Sequence, residues 1–87
     1  MSKCTLAYVG GQYEFNASSH FEALYKAKKH MEGSFLFNAR LFIGDEEYYN
    51  IARDLNGKSV NAKGVHHSFV SGLNFDLTDS FFAKHLS

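Results

Sequence analysis

The sequence lacks proline and tryptophan, and it has only one cysteine, Cys4, among its 87 residues. A single cysteine cannot form an internal disulfide, and it excludes zinc sites of the usual cysteine-rich type. No stretch approaches the roughly 18 apolar residues of a transmembrane helix, and no export signal precedes the first amphipathic run. We therefore expect a cytoplasmic protein in a reducing compartment, without membrane contact.

Net charge is also absent, because nine basic residues balance nine acidic ones. This balance excludes a strongly basic nucleic-acid-binding domain and a strongly acidic DNA mimic. Any contact with nucleic acid would have to come from a local patch of charge.

Aromatic residues, in contrast, are abundant, with nine Phe and five Tyr in a chain that is 45% hydrophobic. Such a composition excludes a disordered segment, and the length gives one domain over residues 1–87. A domain of this size buries only roughly 60 to 65% of the surface that its unfolded chain exposes. Association with a partner or with a second copy is therefore favoured, and both a monomer and a homodimer stay open.

The beginning of the chain has the alternation of a β-hairpin. Residues 4–9 and 12–17 flank Gly10-Gly11, a pair that permits the positive φ angles of a primed two-residue turn. In the second arm, apolar residues alternate with polar ones, so that one face points to a core and the other to water.

A helix is expected directly after the hairpin. Ser19 and Glu22 have the spacing of a capping box, in which each side chain satisfies a backbone amide near the other. Gly33 would end the helix in the left-handed conformation. The sequence thus predicts a helix over about residues 20–32.

The most apolar run, residues 34–43, predicts a central strand. Gly44 and Asp45 break this run, and the apolar residues that follow have helical spacing, which predicts a short second helix over about residues 45–56. The competing interpretation makes Gly44-Asp45 a hairpin turn and residues 48–52 a strand.

The pattern weakens after Lys58. Residues 59–62, 65–70 and 73–77 resemble short strands, and Thr78 is placed to cap a C-terminal helical turn. The order of elements predicts an α+β domain whose sheet is mainly antiparallel, with the first helix packed on one face.

The sequence contains no recognised catalytic or cofactor-binding motif. Five histidines invite a metal hypothesis, but His66 and His67 would face opposite sides of a strand, and His20 and His30 lie ten residues apart. We expect no enzyme, no metal and no cofactor, and a histidine-based metal-binding or enzymatic domain stays as an alternative.

Charge is distributed unevenly along the chain. A basic group lies in the second half of the first helix: Lys26, Lys28, Lys29 and His30. An acidic group follows the central strand: Asp45, Glu46 and Glu47. Either group could dock on a surface of opposite charge, although a solvated helix face and a favourable helix dipole also account for the lysines and for His30.

The aromatic residues are too many for one small core. Four of them are assigned to that core: Phe21, Phe35, Phe37 and Phe75. In each of two adjacent pairs, Tyr48-Tyr49 and Phe81-Phe82, one ring must point away from the core if the other points into it. Exposed aromatic rings often anchor protein interfaces, so we interpret all four as candidate partner-binding residues.

One segment resembles proteins of known type. The run from Tyr13 through Ser19 into Glu22–Lys28 is similar to the opening of small phage and mobile-element proteins, including some anti-CRISPR proteins, over about residues 5–32. Such proteins typically act without catalysis by covering a functional surface of a larger protein. The resemblance implies a phage protein in the host cytoplasm that inhibits a host complex, and it transfers no functional residues.

These observations favour a non-catalytic protein-binding module that docks on a host nucleic-acid-processing protein or ribonucleoprotein complex and blocks nucleic-acid access. The acidic group is the preferred docking site, since nucleic-acid channels are basic. The alternative is a small nucleic-acid-binding domain that uses the basic helix face.

Overall fold

The computed structural model describes residues 2–53, 60–64 and 74–86. Its elements, in chain order, are β1 (Ser2–Tyr8), β2 (Gly11–Ala17), α1 (His20–Ser34), β3 (Asn38–Ile43), β4 (Glu46–Arg53), β5 (Val60–Gly64), β6 (Asn74–Asp76) and α2 (Asp79–Leu86). The six strands form one antiparallel sheet in the order β2-β1-β3-β4-β5-β6. Helix α1 packs on the sheet, which confirms the predicted α+β class.

The core lies between the helices and one face of the sheet. Its buried apolar residues come from β1 to β5, from the residue after β6 and from both helices: Cys4, Leu6, Ala17, Ala23, Leu24, Ala27, Met31, Ala39, Leu41, Tyr49, Ile51, Ala62, Leu77 and Phe82. The opposite face of the sheet carries exposed polar side chains, such as Arg40, Asn50 and Lys63, which occupy adjacent register positions. The helices thus cover one face of the sheet only, among the residues described.

The predicted hairpin forms, with its turn one residue earlier than expected. Tyr8 pairs with Gly11, so the loop consists of Val9 and Gly10. Within this loop only Gly10, the second residue, has a positive φ, 101°. The primed turns expected from Gly10-Gly11 would need a positive φ at the first loop residue. The half-buried rings of Tyr13 and Phe15 point toward α1, as their alternation predicts.

The start of α1 follows the sequence closely. The Ser19 side chain accepts a hydrogen bond of 3.1 Å from the Glu22 amide, as an N-cap residue does. The Glu22 carboxylate in turn accepts a 3.0 Å hydrogen bond from the amide of Ser18, one residue earlier than in a standard capping box. Both bonds satisfy amides that the helix itself leaves without acceptors.

The end of α1 differs from the prediction. The helix continues through Gly33 to Ser34, and the residue with the left-handed conformation is Phe35, at φ 56°. The amides of Phe35 and Leu36 donate to the carbonyls of Glu32 and Met31, at 3.4 and 2.9 Å, and Leu36 packs against the core. This pattern resembles a Schellman motif, in which an apolar residue after the cap contacts the helix. The following strand therefore begins at Asn38 and not at residue 34.

The predicted second helix over residues 45–56 is wrong, because Glu46–Arg53 forms strand β4. The competing interpretation, a hairpin turn at Gly44-Asp45 followed by a strand, is correct. Gly44 has a positive φ of 69°, and its amide donates to the Lys3 carbonyl at 2.9 Å. Tyr49 and Ile51 are buried, whereas Asn50 is exposed, which is the two-residue period of a strand. Burial of those two side chains in the core and pairing with β3 outweigh the helical spacing.

The C-terminal part confirms the strand and helix expectations where it is described. β5 and β6 pair with each other, and the predicted strand over residues 65–70 lies outside the described residues. The Thr78 hydroxyl accepts a 3.1 Å hydrogen bond from the Phe81 amide and so caps α2 as predicted. Within the described part of the chain, neither helix is long and apolar enough to cross a membrane.

Candidate functional site

The predicted basic group is divided by the fold. Lys28 is only 6% exposed and lies between the two helices, where its Nζ contacts Asp79 Oδ1 at 2.9 Å and Glu32 Oε1 at 3.4 Å. Its ammonium also lies 5.6 Å from the centre of the Phe82 ring. The expectation that Lys28 belongs to a docking face is therefore wrong, since its charge ties α2 to α1. The Lys28 ammonium also lowers the pKa of Asp79 below its ordinary value.

The other members of this group have separate partners. Lys26 Nζ donates to the carbonyl of Asn16 at 2.7 Å and pairs with Glu22 at 3.6 Å. Lys29 is exposed, with its Nζ 5.5 Å from the centre of the Tyr25 ring. His30 stacks on a strand residue, Tyr13, and lies well before the end of α1, so the expected benefit from the helix C-terminus is absent. The predicted group of four therefore does not form one cationic surface, because Lys28 lies between the helices while the other three line the side of α1 that faces β2.

The predicted aromatic anchors are mostly buried. Tyr49 and Phe82 are core residues, so neither can contact a partner, and that part of the prediction is wrong. Phe81 is half-buried against Phe21, with ring centres 5.6 Å apart. The Tyr48 side chain lies outside the described part of the structure.

The acidic group lies at the turn between β3 and β4. Asp45 is exposed in this turn, and the backbones of Glu46 and Glu47 begin β4 opposite Ile43 and Phe42. The side chains of these two glutamates lie outside the described part, so the acidic docking site stays a prediction.

Exposed apolar residues gather elsewhere, at the opposite end of the sheet. The large hydrophobic side chains exposed in the described residues are Val9 at 98%, Phe35 at 76% and Phe37 at 39%. Ala7 pairs with Arg40, so the turn after β1 lies beside the start of β3, which Phe35 and Phe37 precede. We call Val9, Phe35 and Phe37 the apolar end. The assignment of both phenylalanines to the core is thus wrong.

Arg53 links Phe37 of the apolar end to helix α1. Its guanidinium lies 5.7 Å from the centre of the Phe37 ring, and its Nη1 donates to the Met31 carbonyl at 3.3 Å. The Arg53 amide donates to the Phe37 carbonyl at 2.8 Å. A cation from β4 therefore satisfies a carbonyl near the C-terminus of α1, where the helix dipole favours positive charge.

Phe35 combines two unfavourable properties. A bulky residue with a left-handed backbone is an outlier that costs roughly 1–2 kcal/mol. Its phenyl ring is nevertheless exposed to water. Since the Phe35 ring itself is not buried, its own side chain does not compensate the strain, and this residue is a candidate for function. The sequence signal for it was the run Phe35-Leu36-Phe37 after the helix, because adjacent apolar residues cannot all face one core.

The side chains that could carry catalytic chemistry, Cys4 and His20, are engaged in burial or hydrogen bonding within the fold. Burial raises the pKa of the Cys4 thiol, which disfavours the reactive thiolate. His20 Nδ1 and the Tyr49 hydroxyl share a hydrogen bond of 3.1 Å, and partial burial lowers the pKa of His20. Among the described residues, no three His, Cys, Asp or Glu side chains come together as a metal ion would require.

Comparison with known proteins identifies no relatives: no protein family, no curated protein and no solved structure matches this chain.

Proposed function

We propose that this protein is a non-catalytic binding module that docks on a larger protein through its apolar end. The observation that carries the proposal is Phe35, which has a strained backbone and an exposed ring. Aromatic residues are enriched in the buried centres of protein interfaces, and they account for many of the residues that dominate binding. The Phe35 ring contributes favourable free energy when a partner surface removes it from water.

The neighbouring contacts support a preorganised anchor. Arg53 fixes the position of Phe37 through a cation–π contact and a backbone hydrogen bond. Leu36, between the two phenylalanines, packs in the opposite direction, against the core. Anchors that are already ordered lose less conformational entropy on binding than flexible ones do.

The target class is the finer part of the proposal. We propose a host nucleic-acid-processing protein or ribonucleoprotein complex whose nucleic-acid access is blocked, as in the anti-CRISPR-type phage inhibitors that residues 5–32 resemble. The partner then offers an apolar pocket to Phe35 and Phe37. The acidic turn at Asp45 lies beyond the other end of the six-residue strand β3, roughly 20 Å away at the rise of a β-strand. A small interface would therefore include either the apolar end or the acidic turn.

The central experiment uses Phe35→Gly. Glycine adopts the left-handed conformation without strain, so we expect the variant to be about 0.5–1 kcal/mol more stable by urea unfolding. We also expect it to capture much less partner when the tagged protein is purified from lysate of its own host and bound proteins are quantified by mass spectrometry. Because the variant gains stability, misfolding cannot explain lost binding. Asp45→Lys, at the other end of the sheet, is the matched control.

Three results would overturn the proposal. If Phe35→Gly captures as much partner as the unmodified protein while Glu46→Lys with Glu47→Lys captures none, the acidic turn is the docking site. If the captured material is nucleic acid, or the partners disappear after nuclease treatment, the protein binds nucleic acid instead. If sedimentation shows a dimer that Phe35→Gly dissociates, the apolar end contacts a second copy of this chain.

A further inference from the structure

A cleft separate from the apolar end lies between the edge strand β2 and helix α1. Its volume is about 380 Å³, and its lining consists of three aromatic rings and three basic side chains: Tyr13, Phe15, Tyr25, Lys26, Lys29 and His30. This volume falls within the roughly 300–1,000 Å³ of small-molecule sites. The residues come from the inward face of β2 and from one side of α1.

Three of the rings at this cleft form a stack. Tyr13 and His30 stack with their centres 4.0 Å apart and their planes within 4°, and Phe15 continues the stack 5.2 Å from Tyr13. On the other side, the Tyr25 ring is fixed by an edge contact with Phe82 at 5.1 Å. Flat and ordered ring surfaces of this kind bind planar aromatic groups by stacking.

The two lysines at the cleft differ in their existing partners. Lys26 already donates to a backbone carbonyl and pairs with Glu22. Lys29, one helical turn later, is exposed and contacts the Tyr25 ring, and among the described residues it has no ion pair within 4 Å. The Lys29 ammonium, whose charge also acts on the Asp79 carboxylate, can thus contact an anion at the rim, next to the rings.

We propose that this cleft binds a nucleoside monophosphate, with the base stacked on the rings and the phosphate at Lys29. Rings and cation together match the two parts of such a ligand, since stacking recognises the planar base and an ammonium recognises the phosphate. This inference is independent of the docking function, because the cleft contains no residue of the apolar end.

The test is a titration of isotope-labelled protein with AMP, followed by amide chemical shifts, with adenosine and inorganic phosphate as separate probes. We expect saturable shifts in β2 and α1, with a dissociation constant below about 1 mM for AMP and weaker binding of each half-ligand. Lys29→Gln should weaken AMP binding by about fivefold. Lys63→Gln is the matched control, because Lys63 is an exposed lysine on the opposite face of the sheet.

Either of two results would overturn this inference. One is the absence of saturation by AMP in a protein whose spectrum shows that it is folded. The other is an equal loss of affinity in Lys29→Gln and Lys63→Gln, which would mean nonspecific attraction of phosphate. Phe35→Gly should bind AMP as the unmodified protein does, so failure of the docking proposal would leave this inference unaffected.

Discussion

The two ends of helix α1 differ in how well their residue types suit the local backbone. At its beginning, Ser19 and Glu22 satisfy exposed amides with the residue types and spacing that helices commonly use. At its end, Gly33 remains helical while Phe35 adopts the left-handed conformation that glycine would adopt at lower cost. The first end is built for stability. The second carries a strained and exposed phenylalanine, which lowers stability.

The largest effect should come from the residue that sets where α1 ends. Leu36 packs on the core directly after the strained Phe35, so it compensates the cost of that conformation. Since Leu36 is only partly buried, we expect Leu36→Ala to lose about 2 kcal/mol of unfolding free energy, the lower limit for leucine truncation. Urea unfolding measures this loss. A loss as small as that of a surface substitution would show that Leu36 does not hold the helix end.

At the other end, Ser19→Ala should cost about 1 kcal/mol, because the Glu22 amide loses its acceptor. Thermal and urea unfolding should agree on this value. Ser19→Asp is the control, since aspartate is an equally good N-cap and should retain stability. If both variants were equally destabilised, the cap would not be the source of the effect.

Gly33→Ala distinguishes the observed helix end from the expected one. In the structure, a Cβ at Gly33 meets nothing within 4 Å and φ is not left-handed, so alanine fits a helical position. We expect a gain of roughly 0.5–1 kcal/mol in unfolding free energy. If Gly33 were instead the left-handed stop of the helix, the same substitution would destabilise the protein.

The smallest effect concerns pH. The hydrogen bond from the Ser18 amide, with help from Lys26, lowers the pKa of Glu22 below its ordinary value of 4.5. The ionised carboxylate therefore adds stability above that value, and the contribution is lost as the pH falls through the lower pKa of the folded state. Glu22→Gln should be less stable than the unmodified protein at pH 7, and the two should converge in acid. A difference that is independent of pH would contradict this assignment.

Local sequence rules predicted the elements that depend on neighbouring residues. The N-cap of α1 and the Thr78 cap rest on contacts within four residues, and the hairpin joins two strands that are adjacent in the chain through a two-residue loop. The spacing around Tyr49 was ambiguous, because its aromatic and apolar neighbours suit a helix or a strand equally. Pairing with β3 and burial against α1 decided in favour of the strand.

The candidate site depended on contacts that sequence alone does not show. Lys28 becomes unavailable because Asp79, 51 residues later, reaches it across the helix pair. Phe35 becomes exposed because Leu36 takes the inward position and Arg53 joins the helix end from a distant strand. Charge and aromatic content therefore predicted a binding surface that included residues which the fold buries.

Cys4 can report how often the core of the protein opens. It is the only cysteine of the chain, it is fully buried, and its strand is paired on both sides, by β2 and β3. A thiol reagent can reach this sulfur only after the packing around it opens, so the labelling rate measures how often the core opens. If the proposed partner binds at the apolar end, the labelling rates of Cys4 with and without it compare how often the core opens in the two states.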